Sequence, residues 1–411
     1  MAILILSCLS TIIFNQRNNE AVAQQDVKTI KHRNLVIDLG NGVKTNAQLT
    51  FPAIGEGPFP GVLLVPGAGP ADMNYTAGMN AKLFWQIAQY LSERGFVVLR
   101  YDKRGIGDNS TIINNNLWTN LTYDDLKQDA EKALNVLLLQ PEVDAKRISI
   151  IGHSEGGEIV TRVATDNPTK VKNIVLMAAR IPNPRDVVYY LFVDLPLEYA
   201  NQVLDKSHNG SFSIKEASQD QIFQSMVGDN TRLILTQSLP NGTKLQKSGY
   251  IPNNDKYVNI ITELKPILEK KFENAFEGSK CEPTNGPCPI YLKSLLGLKP
   301  TLSIIGNVSS STGILILTGQ NDSGSPVQQS FLLQQRLTEL NHPDHTLITY
   351  PDLGHLFYPS SRWTTESGPI PKYVLADLYA WLEAHSSLSR SSVTTSTAST
   401  LEANTSSSIN H

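Results

Sequence analysis

Three residues of this sequence combine the types and the order needed to open an acyl bond. Ser154 is the central residue of Gly152-His153-Ser154-Glu155-Gly156, a G-x-S-x-G pattern, Asp322 follows the apolar run 313–319, and His355 follows the run 345–350. A serine hydroxyl is a poor nucleophile near neutral pH, so a base must take its proton. Imidazole has a suitable pKa, and a carboxylate fixes its tautomer and steadies the cation. The oxyanion formed on attack needs donors, and the backbone N–H groups of Ala68 and Glu155 are the candidates. Each assignment has an alternative. Asp322, the acid preferred here, could instead cap the helix that follows it, and Asp344 or Asp352 is also of the right type. Asp352 lies in the same loop as His355, an awkward reach. His153 is expected to pack or hydrogen-bond beneath the serine turn.

These residues need a rigid frame. Arg147-Ile148-Ser149-Ile150-Ile151 runs into Gly152, and a helix-like segment over 158–165 follows. That is a strand, a sharp turn and a helix with serine at the bend, where flanking glycines allow strand and helix to approach. Segments 33–39 and 43–51 alternate around Gly40-Asn41-Gly42 as a hairpin. The run 61–65 reads as a buried strand that ends in Pro66-Gly67-Ala68-Gly69-Pro70, a loop whose exposed N–H groups suit an anion. A helix over 81–94 stops at Gly95, and 96–101 is a strand. In the loop that follows, Asp102 and Arg104 are expected to act as braces. Thr122 and Asp125 form a capping box for a helix that Pro141 ends, and 172–179 is another strand. Strands at 313–319 and 345–350 and helices at 326–340 and 371–384 resume the pattern. The fold class expected is α/β: a mostly parallel sheet flanked by helices, with sites at the carboxyl ends of its strands.

Between residues 181 and 312 the alternation stops for about 130 residues, too long for a connection and therefore read as a mainly helical cap. Helix-like pieces fall at 187–205, 221–236 and 257–276. The core is thus expected in two parts, 30–180 and 313–385. Residues 1–23 read as a signal segment, an apolar run followed by Ala21-Val22-Ala23, although no Lys or Arg precedes that run and an uncleaved anchor is the alternative. Cys281 and Cys288, seven positions apart, suit a small disulfide loop in an oxidising compartment or two free thiols. Sequons at Asn74, Asn109, Asn120, Asn209, Asn241, Asn307, Asn321 and Asn404 fit an extracytoplasmic surface. Residues 386–411, of which fifteen are Ser or Thr, are expected to be disordered. A net charge of −3 without a basic run gives no reason to expect nucleic acid as a partner, and no metal or cofactor motif stands out.

The chain resembles the α/β-hydrolase superfamily, and within it hydrolases of serine aminopeptidase-like or esterase-like type. The resemblance rests on Gly67-Ala68-Gly69-Pro70-Ala71-Asp72, on 99–107, on 152–157, and on the loops holding Asp322 and His355. It implies hydrolysis of an acyl ester or amide through an acyl-enzyme without a cofactor, on a small-molecule ester or a short peptide. Met73 departs from the pattern, since related sequences often carry arginine there. Three expectations follow: a secreted or surface serine esterase first, a peptidase on the same triad second, and third a non-catalytic binding protein on a hydrolase fold.

Overall fold

A computed structural model of the chain describes residues 29–77, 81–227, 256–278, 281 and 287–386. The expected signal segment, the sequons at Asn241 and Asn404, the second half of the helix expected over 221–236, and the tail from 387 onward lie outside these residues.

Eight strands form the main sheet among the described residues: β1 (Ile30–Gly40), β2 (Val43–Pro52), β3 (Phe59–Val65), β4 (Val97–Tyr101), β5 (Val143–His153), β6 (Asn173–Met177), β7 (Gly313–Gly319) and β8 (His345–Tyr350). Their order is β1-β2-β4-β3-β5-β6-β7-β8. The β1–β2 and β2–β4 pairs are antiparallel, and all others are parallel. The hairpin turns where expected. Gly40, Asn41 and Gly42 all have positive φ, the conformation a tight hairpin needs and the reason glycine and asparagine stand there.

Central strands alternate their side chains between two cores. Leu63, Ile148, Ile150, Ile174, Leu176, Ile314 and Ile316 face one side, with helices α2 (Tyr123–Leu138), α3 (Glu155–Asp166) and α4 (Val327–Glu339). Val62, Leu64, Ile151, Val175, Leu315 and Leu317 face the other, against α1 (Leu83–Ser92) and α5 (Lys372–Ser386). Each of these fully buried aliphatic side chains stabilises the fold by roughly 1.5–3 kcal/mol. The capping box of α2 is formed, with Thr122 and Asp125 satisfying each other's backbone N–H. Helix α5 runs through buried Ser386, one residue into the stretch expected to be disordered.

The segment between β6 and β7 is mainly helical where it is described. A continuous helical stretch runs from Pro184–Tyr189 through two π-helical turns to Ala200–Leu204. A second spans Ile260–Leu264 and Lys265–Glu277, and shorter helices follow at Pro289–Leu295 and Thr301–Ile304. Tyr257–Asn259, expected as the start of a helix, is instead a strand paired antiparallel with Ser211–Ser213. The reason is local. Val258 is buried beside Phe212 in the core, and the Asn259 side chain caps the helix by accepting from the N–H groups of Ile261 and Thr262. Cys281 and Cys288 form a disulfide, which ties the region after the long helix to the residue that opens Pro289–Leu295.

Candidate active site

Backbone geometry places Ser154 before its side chain is considered. It has φ 55 and ψ −120, a strained conformation for a residue with a Cβ, between the end of β5 and the first turn of α3. The turn closes only because its neighbours are glycines. A Cβ on Gly152 would lie 2.2 Å from the Gly156 carbonyl oxygen, and one on Gly156 would lie 2.1 Å from the carbonyl oxygen of Val65. Ser154 N–H donates to Met177 O at 2.9 Å, and its carbonyl accepts from Gly157 and Arg180 N–H.

Asp322 and His355 come together at the carboxyl ends of β7 and β8. His355 Nδ1 lies 2.8 Å from Asp322 Oδ2, and the other aspartate oxygen accepts the N–H groups of Gly324 and Ser325, each at 2.8 Å. The aspartate is buried and so locked. Opposite an ionised carboxylate Nδ1 carries the proton, and Nε2 keeps its lone pair. Burial by itself would lower the His355 pKa, but Asp322 and then Glu366 outweigh it, and the imidazole titrates above its ordinary 6.5. Of the other acids considered, Asp352 is exposed and Asp344 pairs with His385 at 3.0 Å, so neither meets His355.

His153 lies beneath the turn, fully buried. Its Nε2 is 2.8 Å from the His355 carbonyl oxygen and its Nδ1 is 3.0 Å from the Tyr75 hydroxyl. A carbonyl can only accept, so Nε2 donates and Nδ1 accepts. Burial holds this ring far below its ordinary pKa and therefore neutral. Its ring also meets that of His355 edge-on, with centroids 4.7 Å apart. Among the described residues no hydrogen bond joins the Ser154 hydroxyl directly to His355; in unliganded sites such contacts are often long.

Ala68 and Glu155 both line one cavity of about 300 Å³. Neither backbone N–H donates to a hydrogen bond among the described residues, and that of Glu155 belongs to the first turn of α3, where no intrahelical acceptor exists. The Ala68 loop is held in several ways. Lys103 Nζ donates to the carbonyls of Gly67 and Gly69, one on each side of Ala68, and Lys103 N–H donates to Ala71 O. Asp72 accepts from Asn74 and Thr76. Asp102 Oδ1 accepts the Met73 N–H at 2.6 Å, while Arg104 forks onto Asp125 and Asp129 of α2, so both expected braces are in place. Removal from water raises the Asp102 carboxyl to about 6.

Four side chains of the cavity wall, Lys103, Glu155, Arg180 and Tyr291, carry a charge or a hydroxyl. The Glu155 carboxylate, 1% exposed, takes Arg180 Nη1 at 3.1 Å and the Tyr291 hydroxyl on one oxygen, and its other oxygen lies 3.6 Å from Lys103 Nζ. Burial pulls the Lys103 ammonium below its ordinary pKa, with Glu155 opposing. The remainder of the wall is apolar, with Trp118, Leu121, Val188, Phe192, Leu292 and Leu295 prominent. Sequence reasoning missed Lys103, Arg180 and Tyr291 as partners of Glu155. It also missed Glu366, whose buried carboxylate accepts the N–H groups of His355 and Leu356 at 2.5 and 2.7 Å. A lone glutamate in an irregular loop gives no sequence signal for such a role. The sequon residue Asn321 uses its side-chain N–H on Ser360 O at 2.7 Å, and Asn74 accepts from Arg100, so both are engaged within the fold. Among the described residues no group of three or more His, Cys, Asp or Glu is placed to hold a metal.

Strand order, elbow and loop positions together define a protein of the alpha/beta hydrolase fold. The family model for that fold matches residues 61–361, and the chain belongs to this family. Esterase EstD of Thermotoga maritima is 39% identical over 132 residues, which is 32% of this chain and 29% of the esterase, so the chain matches under a third of that relative's length. A highly thermostable carboxyl esterase from Bacillus coagulans, solved in complex with glycerol, aligns over 87% of this chain and 99% of its own with a TM-score of 0.50 and 17% identity. Est1E from Butyrivibrio proteoclasticus, bound to ferulic acid, aligns over 85% and 98% with a TM-score of 0.50 and 13% identity. At such identities the two structures attest the fold.

Proposed function

We propose that the protein is a serine hydrolase that cleaves small carboxylic esters through an acyl-enzyme. The observation that carries this reading is the hydrogen bond between His355 and buried Asp322, set beside a serine held at φ 55. Ser154 Oγ attacks the ester carbonyl as His355 Nε2 takes its proton. The negative charge that develops on the carbonyl oxygen is received by the N–H groups of Ala68 and Glu155. The intermediate collapses, His355 returns the proton to the departing alcohol, and the acyl group stays on Ser154. Water, deprotonated by the same imidazole, then releases the carboxylic acid.

An aminopeptidase needs an acidic group for the free amine of its substrate, and Glu155 follows the serine directly in the chain. Its carboxylate is already engaged by Lys103, Arg180 and Tyr291, which favours the ester reading. Secretion remains part of the proposal, supported by the Cys281–Cys288 disulfide. The deciding experiment combines labelling by a serine-reactive fluorophosphonate, mapped by mass spectrometry, with a panel of nitrophenyl esters and aminoacyl nitroanilides. Labelling at Ser154 with ester turnover is expected. Anilide turnover without ester turnover would transfer the protein to the peptidases, and an unlabelled Ser154 would remove it from serine hydrolases.

The pH profile offers a separate check. Because His355 must be neutral to act as base, kcat/KM falls as pH drops through its raised pKa. Glu366→Gln removes one of the charges that raise that pKa, so the acid limb should move to lower pH. A limb that stays in place would show that Glu366 acts through its backbone hydrogen bonds alone.

A further inference from the structure

The polar groups of the cavity are not equally occupied. Lys103 spends its ammonium on the carbonyls of Gly67 and Gly69 and on the ion pair with Glu155. Glu155 is covered on one oxygen by Arg180 and Tyr291 and faces Lys103 with the other, which has no hydrogen-bond donor of its own. Arg180 differs. Its Nη1 reaches Glu155, whereas Nε and Nη2 donate to no protein group among the described residues, and the side chain is 13% exposed where it lines the cavity. Two cationic side chains stand against one carboxylate in a wall that is otherwise mostly apolar.

We propose that this cavity receives a substrate arm ending in a carboxylate, which pairs with the unused edge of the Arg180 guanidinium. The inference rests on the ester-hydrolase reading above, whose substrate class it narrows to esters of acids with an aliphatic or aromatic body and a distal anionic group. A guanidinium presents its N–H donors in a planar fork that matches a carboxylate, and the match gains strength where apolar walls exclude water. Arg180 is also tied to the reacting centre, because its own backbone N–H donates to the Ser154 carbonyl at 3.2 Å. The recognising side chain thus grows from the strand end that supports the nucleophile. An ammonium in the same place would meet net positive charge, and a methyl end would leave the guanidinium without an acceptor.

The test compares p-nitrophenyl monoesters of glutaric to suberic acid with chain-matched esters ending in methyl and in ammonium, after subtraction of spontaneous hydrolysis. For the best chain length, kcat/KM should favour the carboxylate over its methyl counterpart by about tenfold or more. In Arg180→Gln that ratio should collapse towards one, whatever happens to the absolute rate. Should the variant fail to fold, the wild-type ratio still decides, together with calorimetric binding of monomethyl adipate and methyl hexanoate to Ser154→Ala, where the carboxylate should bind about tenfold tighter. A wild-type ratio of one or less at every length, or preference for the ammonium series, overturns the inference and leaves the esterase reading intact. Tight binding of monomethyl adipate without turnover of any ester would do the reverse.

Discussion

Replacing Ser154 by alanine should cut ester turnover by about 10⁵- to 10⁶-fold, the scale seen when a serine nucleophile is removed from a triad, while the protein stays folded. The structural case for the second half is as strong as that for the first. Alanine has the same Cβ as serine and meets the same φ of 55. The serine side chain caps no helix N–H, so its loss orphans no buried donor. The backbone contacts that hold the elbow, Ser154 N–H to Met177 O and Ser154 O to Gly157 and Arg180 N–H, do not involve the hydroxyl. Circular dichroism and the thermal midpoint should therefore match wild type, with the burst of nitrophenolate absent. Turnover within tenfold of wild type would place the chemistry on another group.

Asp322→Asn should lower kcat by roughly 10⁴-fold, with a smaller change in stability. An asparagine amide is nearly isosteric and can still accept the N–H groups of Gly324 and Ser325 through its oxygen. Its NH₂ then faces His355 Nδ1, where a carboxylate oxygen stood at 2.8 Å. Two donors cannot share that contact, so the imidazole adopts the tautomer with its proton on Nε2 and its lone pair turned away from the serine. Asp344→Asn and Asp352→Asn serve as controls, since one aspartate is engaged with His385 and the other is exposed; each should retain activity within about twofold of wild type, as surface changes do. Comparable losses in Asp322→Asn and either control would refute the assignment of the acid.

The frame of this molecule was legible because its strands are strongly marked. Runs such as Gly313–Gly319 and His345–Tyr350 are β-rich, bounded by turn residues, and coincide with the observed strands to the residue. Thr122 and Asp125 announced their helix through the chemistry of its first turn. Ser154, Asp322 and His355 stand out as candidates because each lies just beyond such a run. Shorter elements gave no pattern: a three-residue strand like Ser211–Ser213 offers one buried side chain and no alternation. The cavity wall was hidden for a different reason. Lys103, Glu155, Arg180 and Tyr291 come from four separate elements, and only the folded chain shows that their charges meet. Glu366 was invisible because it serves main-chain N–H groups, which every residue possesses.

His153 is covalently continuous with Ser154, takes the Tyr75 hydroxyl on one nitrogen, and holds the His355 carbonyl with the other. Three stretches far apart in sequence are thus gauged against a single interior datum rather than against one another. Tolerances in the connecting chain therefore do not accumulate at the centre, while the excursion between β6 and β7 keeps its own hold there, through Tyr291 on Glu155 and the Tyr190 hydroxyl on the Ser323 carbonyl. Because the cavity wall is built from both, with Lys103 and Glu155 just beyond strands of the sheet and Tyr291 and Leu295 from the excursion, an exchange of excursions that keeps those two contacts would recast the wall without moving the centre.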